Sequence, residues 1–184
     1  MIENLAWLVI ALTSVILERR FANHDRGKPT NEAKAMDRVM ILATLFSLIE
    51  PLLAQFVPGF GPTLPFAVVG LVIAISGLAI RAWAMSTLGA RYVLTPQSQS
   101  DHHFLETRGP YRFVRHPGYA GIILQLLGMG LLLSPLVALF ANVPVIFFAA
   151  LRIKGEEKIL RKEFQPDYQV YSLSVRWRLA KWIF

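Results

Sequence analysis

The sequence contains no cysteine, which excludes disulfides, thiolate metal sites and cysteine nucleophiles alike. Charge is scarce as well. Only 17% of the 184 residues are Asp, Glu, Lys or Arg, against 54% hydrophobic, and the mean hydropathy is +0.46. A soluble domain of this length needs more charge to cover its surface. Internal repeats and low-complexity tracts are absent, which argues against an inverted-repeat transporter. The first apolar segment, 3–18, lacks a basic n-region and a small-residue cleavage site, so it reads as a retained helix rather than a signal peptide. The expected class is an all-α, polytopic integral membrane protein with one membrane domain, residues 1–184.

What is present arranges itself into apolar spans and basic blocks. A hydrocarbon core about 30 Å thick takes roughly 20 apolar residues of helix. About five transmembrane helices are expected, at about 4–17, 39–56, 66–85, 118–133 and 137–151. Residues 1–85 hold the first three. Residues 86–184 hold a transmembrane hairpin and an amphipathic, basic tail. Ser134-Pro135 is so short a connection that the last two spans should form an antiparallel hairpin. The 19 Lys and Arg residues fall in three blocks, six at 19–38, five at 81–115 and eight at 152–181. None lies at 57–65, at Ser134-Pro135 or before the first span. Five spans with the N-terminus outside put all of them on the cytoplasmic face, whereas four or six would alternate the blocks between sides. The net charge of +7 thus reads as topology and contact with membrane lipids, with no nucleic acid as partner. The C-terminus and the active site are expected to be cytoplasmic, at the inner membrane if the chain is prokaryotic.

Two cytoplasmic regions carry chemistry. Segment 101–119 packs three His, three Arg and two Tyr beside Gly-Pro and His-Pro turns, just before a membrane helix. Just after the hairpin, Arg152 and Glu156 stand four residues apart and share a helix face. Because the two regions flank one hairpin, they must meet at its cytoplasmic mouth. A carboxylate at Glu156 or Glu157 can take an amine or ribose hydroxyls, and Arg152 a carboxylate or phosphate. Residue chemistry alone reaches a polar cofactor or lipid head group at the interface. Asp101, His102, His103 and His116 have metal-ligand chemistry but no recognised spacing, so no metal is expected.

Plainer readings hold for other residues. Arg112 reads as a lipid-head anchor, and Arg115 divides evenly between structural pairing and the site. Arg81 reads as snorkelling or paired, with snorkelling favoured, and Glu50 as a shallow, solvated carboxylate near the outer face. Tyr168, Tyr171 and Trp177 read as interfacial anchors, with Tyr171 a weaker site candidate, and Gly128 and Gly130 as helix packing.

The run Gly109-Pro110-Tyr111, Arg115-His116-Pro117, Tyr119 and Gly121, with the later Arg152, Glu156, Glu157 and Leu160 and then Phe164, Tyr168 and Tyr171, resembles the signature of the isoprenylcysteine carboxyl methyltransferase family. That family sits in a wider superfamily with phospholipid N-methyltransferases and the C-terminal domains of some sterol reductases. The resemblance covers about residues 81–176. It implies S-adenosylmethionine as cofactor, bound in the C-terminal half rather than on a Rossmann sheet. In keeping with that, no Gly-x-Gly-x-x-Gly stands between a strand and a helix. Carried over position by position, the implied cofactor contacts are His103, Phe104, Leu105, Glu106, Tyr111, His116, Pro117, Gly118, Tyr119 and Glu156. Either Gln97 or Ser98 makes an upstream contact, and Arg152 faces the methyl acceptor. Phe104 and Glu106 depart from the commoner pattern, which puts the surroundings of adenine or ribose in question rather than the backbone contacts.

The implied activity is methylation of a carboxylate on a prenylated, lipidic or hydrophobic small-molecule acceptor at the cytoplasmic leaflet. A carboxylate is already ionised at neutral pH, so no general base is required. The rivals are phospholipid amine methylation, a membrane reductase using NADPH, and a non-catalytic scaffold or transporter. The acceptor's identity, O- versus N-methylation and the oligomeric state are left open at this level.

Overall fold

The computed structural model describes residues 2–21, 49–56, 63–89 and 105–180, and every element in them is helical. These are α1 (Ile2–Phe21), α2 (Glu50–Gln55), α3 (Leu64–Leu88), the 3-10 turn η1 (Gly109–Arg112), α4 (Pro117–Leu133), α5 (Pro135–Glu163) and α6 (Asp167–Ser174). Proline occupies the first turn of α3, α4 and α5, where its missing N–H is no loss and its fixed φ suits a helix start. Ser134 closes α4 in an extended conformation and at once becomes the N-cap of α5. The tight hairpin expected there is present.

Helix α5 departs from the expected 137–151. It runs 29 residues without a break, through the internal Pro144, to Glu163. Arg152, Glu156 and Glu157 therefore ride on the continuation of an apolar helix instead of on a separate amphipathic one. α3 and the Ala138–Glu163 stretch of α5 are long and apolar enough to cross a membrane. α4 is apolar but 17 residues long. Most of the expected second span lies outside the described residues, with only Glu50–Gln55 seen as helix. Outward-facing Leu8, Leu12 and Ile16 on α1, Val68, Val72 and Ile75 on α3, and Phe140, Val143 and Phe147 on α5 are exposed. Contiguous apolar surface of this kind is what a helix presents to lipid.

The tightest packing is between α3 and α4, which run antiparallel. Gly70 and Gly77 on α3, and Gly121 and Gly128 on α4, recur at seven-residue intervals, the repeat that keeps one seam facing a neighbour. A Cβ on Gly70 would stand 2.6 Å from the Leu132 backbone N, and one on Gly121 2.7 Å from the Arg81 backbone N. Only hydrogen lets the backbones approach so closely, as small residues do at membrane helix crossings. Trp7, Ile10, Ala74, Leu126, Met129, Leu133 and Val145 build the core around this seam.

Two buried polar residues correct the sequence reading. Glu50, expected to be shallow and solvated, is 0% exposed. Its carboxylate accepts hydrogen bonds from Trp7 Nε1 at 3.4 Å and Asn142 Nδ2 at 3.1 Å. The contacts of α2 with α4 and α5 cover it, and a carboxylate so enclosed must find donors within the bundle. Arg81, for which the sequence favours snorkelling over pairing, is 9% exposed and ion-paired to Glu18 of α1. The close α3–α4 approach at Gly121 and the packing of α1 on α3 turn it inward instead of toward a lipid head.

Candidate active site

The end of the bundle where α3 stops and α4 begins gathers the chemically equipped residues. Gly109 opens η1 at φ 56, and a Cβ there would lie 2.6 Å from Thr87 Oγ1. Glycine thus meets both a left-handed backbone and a close approach, and it lays the turn against the end of α3. Trp83 of α3 packs against Phe113 with ring centroids 6.4 Å apart. From there Pro117 starts α4, with His116 as its N-cap.

The hairpin brings this turn beside α5. Arg152 Nε donates to the Tyr119 hydroxyl at 2.6 Å. His116 Nδ1 lies 3.9 Å from Glu156 Oε2, and its Nε2 lies 3.5 Å from Glu157 Oε1. The His116 and Tyr119 rings meet edge to face at 5.9 Å. Arg152 is buried, while the Glu156 side chain keeps 28% exposure. The two stretches that the sequence placed at one mouth do share it.

Among the other expected contacts, Glu106 is buried and holds Arg108 through Nε at 2.9 Å and Nη2 at 3.1 Å. The same carboxylate, with its charge, raises the exposed Arg108 guanidinium further above its ordinary value. Leu105 is half-buried, Pro117 is buried, and a Cβ on Gly118 would meet nothing within 4 Å. The Tyr111 carbonyl accepts from the Tyr171 hydroxyl at 2.7 Å. Ser98, His103 and Phe104, with Gln97, lie outside the described residues.

Residues beyond the expected set complete the enclosure. Glu157 is 3% exposed and takes Arg115 Nε at 2.8 Å and Arg178 Nε at 3.0 Å. Burial would raise its carboxyl, but the nearby His116 imidazole and the hydrogen bonds from Arg178 and Arg115 outweigh that and hold it well below the usual carboxylate range. Arg115 therefore resolves to structural pairing. Tyr168 and Tyr171 are 1% and 7% exposed. They are packed walls and not the interfacial anchors expected, because α6 folds back against α5. Burial, aided by the Glu157 charge, pushes the Tyr168 hydroxyl up to about 12.

A sequence model described as the isoprenylcysteine carboxyl methyltransferase family matches residues 68–162. A probable protein-S-isoprenylcysteine O-methyltransferase of Oryza sativa subsp. indica is 30% identical over 92% of this chain and 93% of its own length. Protein-S-isoprenylcysteine O-methyltransferase A of Arabidopsis thaliana is 33% identical over 83% of this chain and 79% of its own. A solved structure of the eukaryotic intramembrane Ras methyltransferase superimposes with a TM-score of 0.60 at 26% identity. That match covers 73% of this chain, which spans half of the larger protein's length.

Proposed function

The chain belongs to the isoprenylcysteine carboxyl methyltransferase family, and on that premise we propose that it methylates the carboxylate of a prenylated or otherwise hydrophobic acceptor, with S-adenosylmethionine as donor. Membership makes it a membrane methyltransferase. The acceptor, the donor and the residue roles are our reading. One observation carries it: Arg152 and Glu156 of α5 share a mouth with His116 and Tyr119 of α4, joined by the 2.6 Å Arg152–Tyr119 hydrogen bond.

The donor set fits the cofactor. Glu156 is a partly exposed carboxylate beside an imidazole and a phenol ring, suited to an amino group or ribose hydroxyls next to a planar base. When bound, S-adenosylmethionine supplies an electrophilic methyl group on a sulfonium sulfur. Glu156 accepts hydrogen bonds from it, and the turn 116–119 lines its pocket with Leu105, Glu106 and Tyr111. Arg152 pairs the acceptor carboxylate, and the Tyr119 hydroxyl holds the guanidinium plane through Nε. The acceptor is ionised at neutral pH, so the chain provides no base. It provides positioning, about 7–11 kcal/mol of a barrier in favourable cases, and a guanidinium in place of the carboxylate's water shell. We place three spans in residues 1–85 and the catalytic half in 86–184, with the site on the cytoplasmic side. A lipid tail then enters sideways, between helices.

The test is methyl transfer from a radiolabelled donor to a prenylated cysteine and, in parallel, to membrane lipid extract. The expected product is a methyl ester, which alkali releases as volatile methanol. Alkali-stable label in phospholipid would instead mean an amine acceptor, whose nitrogen must lose a proton to a base first. No transfer to either acceptor would sink the substrate assignment.

A further inference from the structure

Beyond the donor and acceptor contacts lies a buried ionic junction joining three parts of the chain. The Glu157 side chain points about 100° around α5 from Glu156, as adjacent residues of a helix do. It reaches the inner side of the His-Pro turn, where its Oε1 lies 3.5 Å from His116 Nε2, and the segment 175–178. Its Oε1 takes Arg115 through Nε at 2.8 Å and Nη2 at 2.7 Å, and its Oε2 takes Arg178 through Nε at 3.0 Å and Nη2 at 2.9 Å. Each oxygen of the one carboxylate is therefore shared by two N–H groups of a single guanidinium, and charge-assisted hydrogen bonds are stronger than neutral ones.

The segment 175–178 is fastened to the turn by more than that carboxylate. Arg115 Nη1 donates to the carbonyls of Val175 at 2.7 Å and Arg176 at 2.8 Å. The backbone N–H groups of Arg115 and His116 donate to the carbonyls of Trp177 at 2.9 Å and Arg178 at 2.8 Å. The segment lies across the turn as a strap. Two guanidiniums converge at its centre, and Glu157 is the acid between them. Without that charge the buried Arg115 guanidinium would face the half-buried Arg178 unpaired, which is costlier than losing an exposed pair.

We propose that Glu157 is a positioning residue for the methyl transfer: it clamps the strap 175–178 onto the His-Pro turn and so fixes His116 and Tyr119 against Glu156 and Arg152. The proposal rests on the reading of 116–119 as part of the cofactor pocket. The strap is not an appendage but the outer wall that gives the turn its orientation. Its loss acts on cofactor binding first, since the turn supplies several cofactor contacts while Arg152 loses one hydrogen-bond partner and stays on its helix.

Two variants test it in the full-length protein, Glu157→Gln and the milder Arg178→Met, which keeps the Arg115–Glu157 pair should Glu157→Gln fail to fold. The first readout is limited trypsinolysis at the exposed Arg176, followed by mass spectrometry. Cutting there reports the open fraction of the strap and is expected to speed up by about tenfold. The second readout is steady-state kinetics. The KM for the donor is expected to rise about tenfold while the acceptor KM holds within about twofold. A role confined to stability would lower kcat through loss of active protein and leave both KM values alone, and that result overturns the proposal. So does unchanged trypsinolysis in a folded variant. If the strap opens but the wild-type protein transfers no methyl group, the junction stands as a clamp and the enzymatic reading of the pocket falls.

Discussion

Arg152 and Glu156 share one helix face, yet their losses should differ in kind. Glu156→Ala removes an acceptor from the cofactor pocket and is expected to weaken binding of S-adenosylhomocysteine by about tenfold, roughly 1.4 kcal/mol. Arg152→Ala is expected to leave that binding unchanged and lower kcat about 100-fold, roughly 2.7 kcal/mol. Calorimetry with the product, paired with turnover, checks both, and the swapped pattern would refute the role assignment. Glu157 carries a pH signature of its own. Its carboxyl lies below the ordinary range in the folded protein, so its stabilisation is full above the unfolded value near 4.3 and fades as pH falls toward the folded one. The gap in thermal midpoint between wild type and Glu157→Gln should therefore be steady from neutral pH to about 5 and narrow below about 4. A gap that widened on acidification would contradict the ionic junction. At this scale the sequence singled out Arg152, Glu156 and His116 through the family resemblance, and the structure brings the three side chains together. It left Arg115 undecided and Glu157 as an alternative to Glu156, because only the helix phase against a folded-back tail determines which acid turns inward.

The α3–α4 seam is where helix packing is most exacting. Gly77→Leu would drive a side chain into the backbone of Gly121 and Gln125, and overpacking of a close crossing costs about 1–3 kcal/mol. The expected result is a lower thermal midpoint in detergent and reduced yield. Gly118→Ala meets no neighbour within 4 Å and is expected to leave the midpoint unchanged. Equal loss in both would mean that the backbone approach is not limiting. Apolar helices at 66–85 and 118–133 were legible to within a few residues as α3 and α4, since unbroken apolar length is a local property. The reach of α5 to Glu163 was not, since a charged helical turn looks alike whether it continues a span or starts anew. Glu50 and Arg81 were misread for a related reason: burial of a polar side chain is decided by its neighbours, here Trp7 with Asn142, and Glu18.

For the whole molecule, the absence of cysteine makes topology directly measurable. Single cysteines at the exposed positions Thr63 and Gln169 should label from opposite sides in inside-out and right-side-out vesicles, Gln169→Cys from the cytoplasmic side. Labelling of both from one side would break the five-span arrangement and its cytoplasmic site. The membrane class, the hairpin and the meeting of its two flanking segments were determined by the sequence itself, because hydropathy, basic blocks and a two-residue turn act locally or through the bilayer. The tertiary structure alone decided that the chain's late basic segment returns to strap the His-Pro turn. That contact joins Arg115 to Arg178 across more than sixty positions through one carboxylate, and no periodicity encodes a buried charge shared by three separate elements.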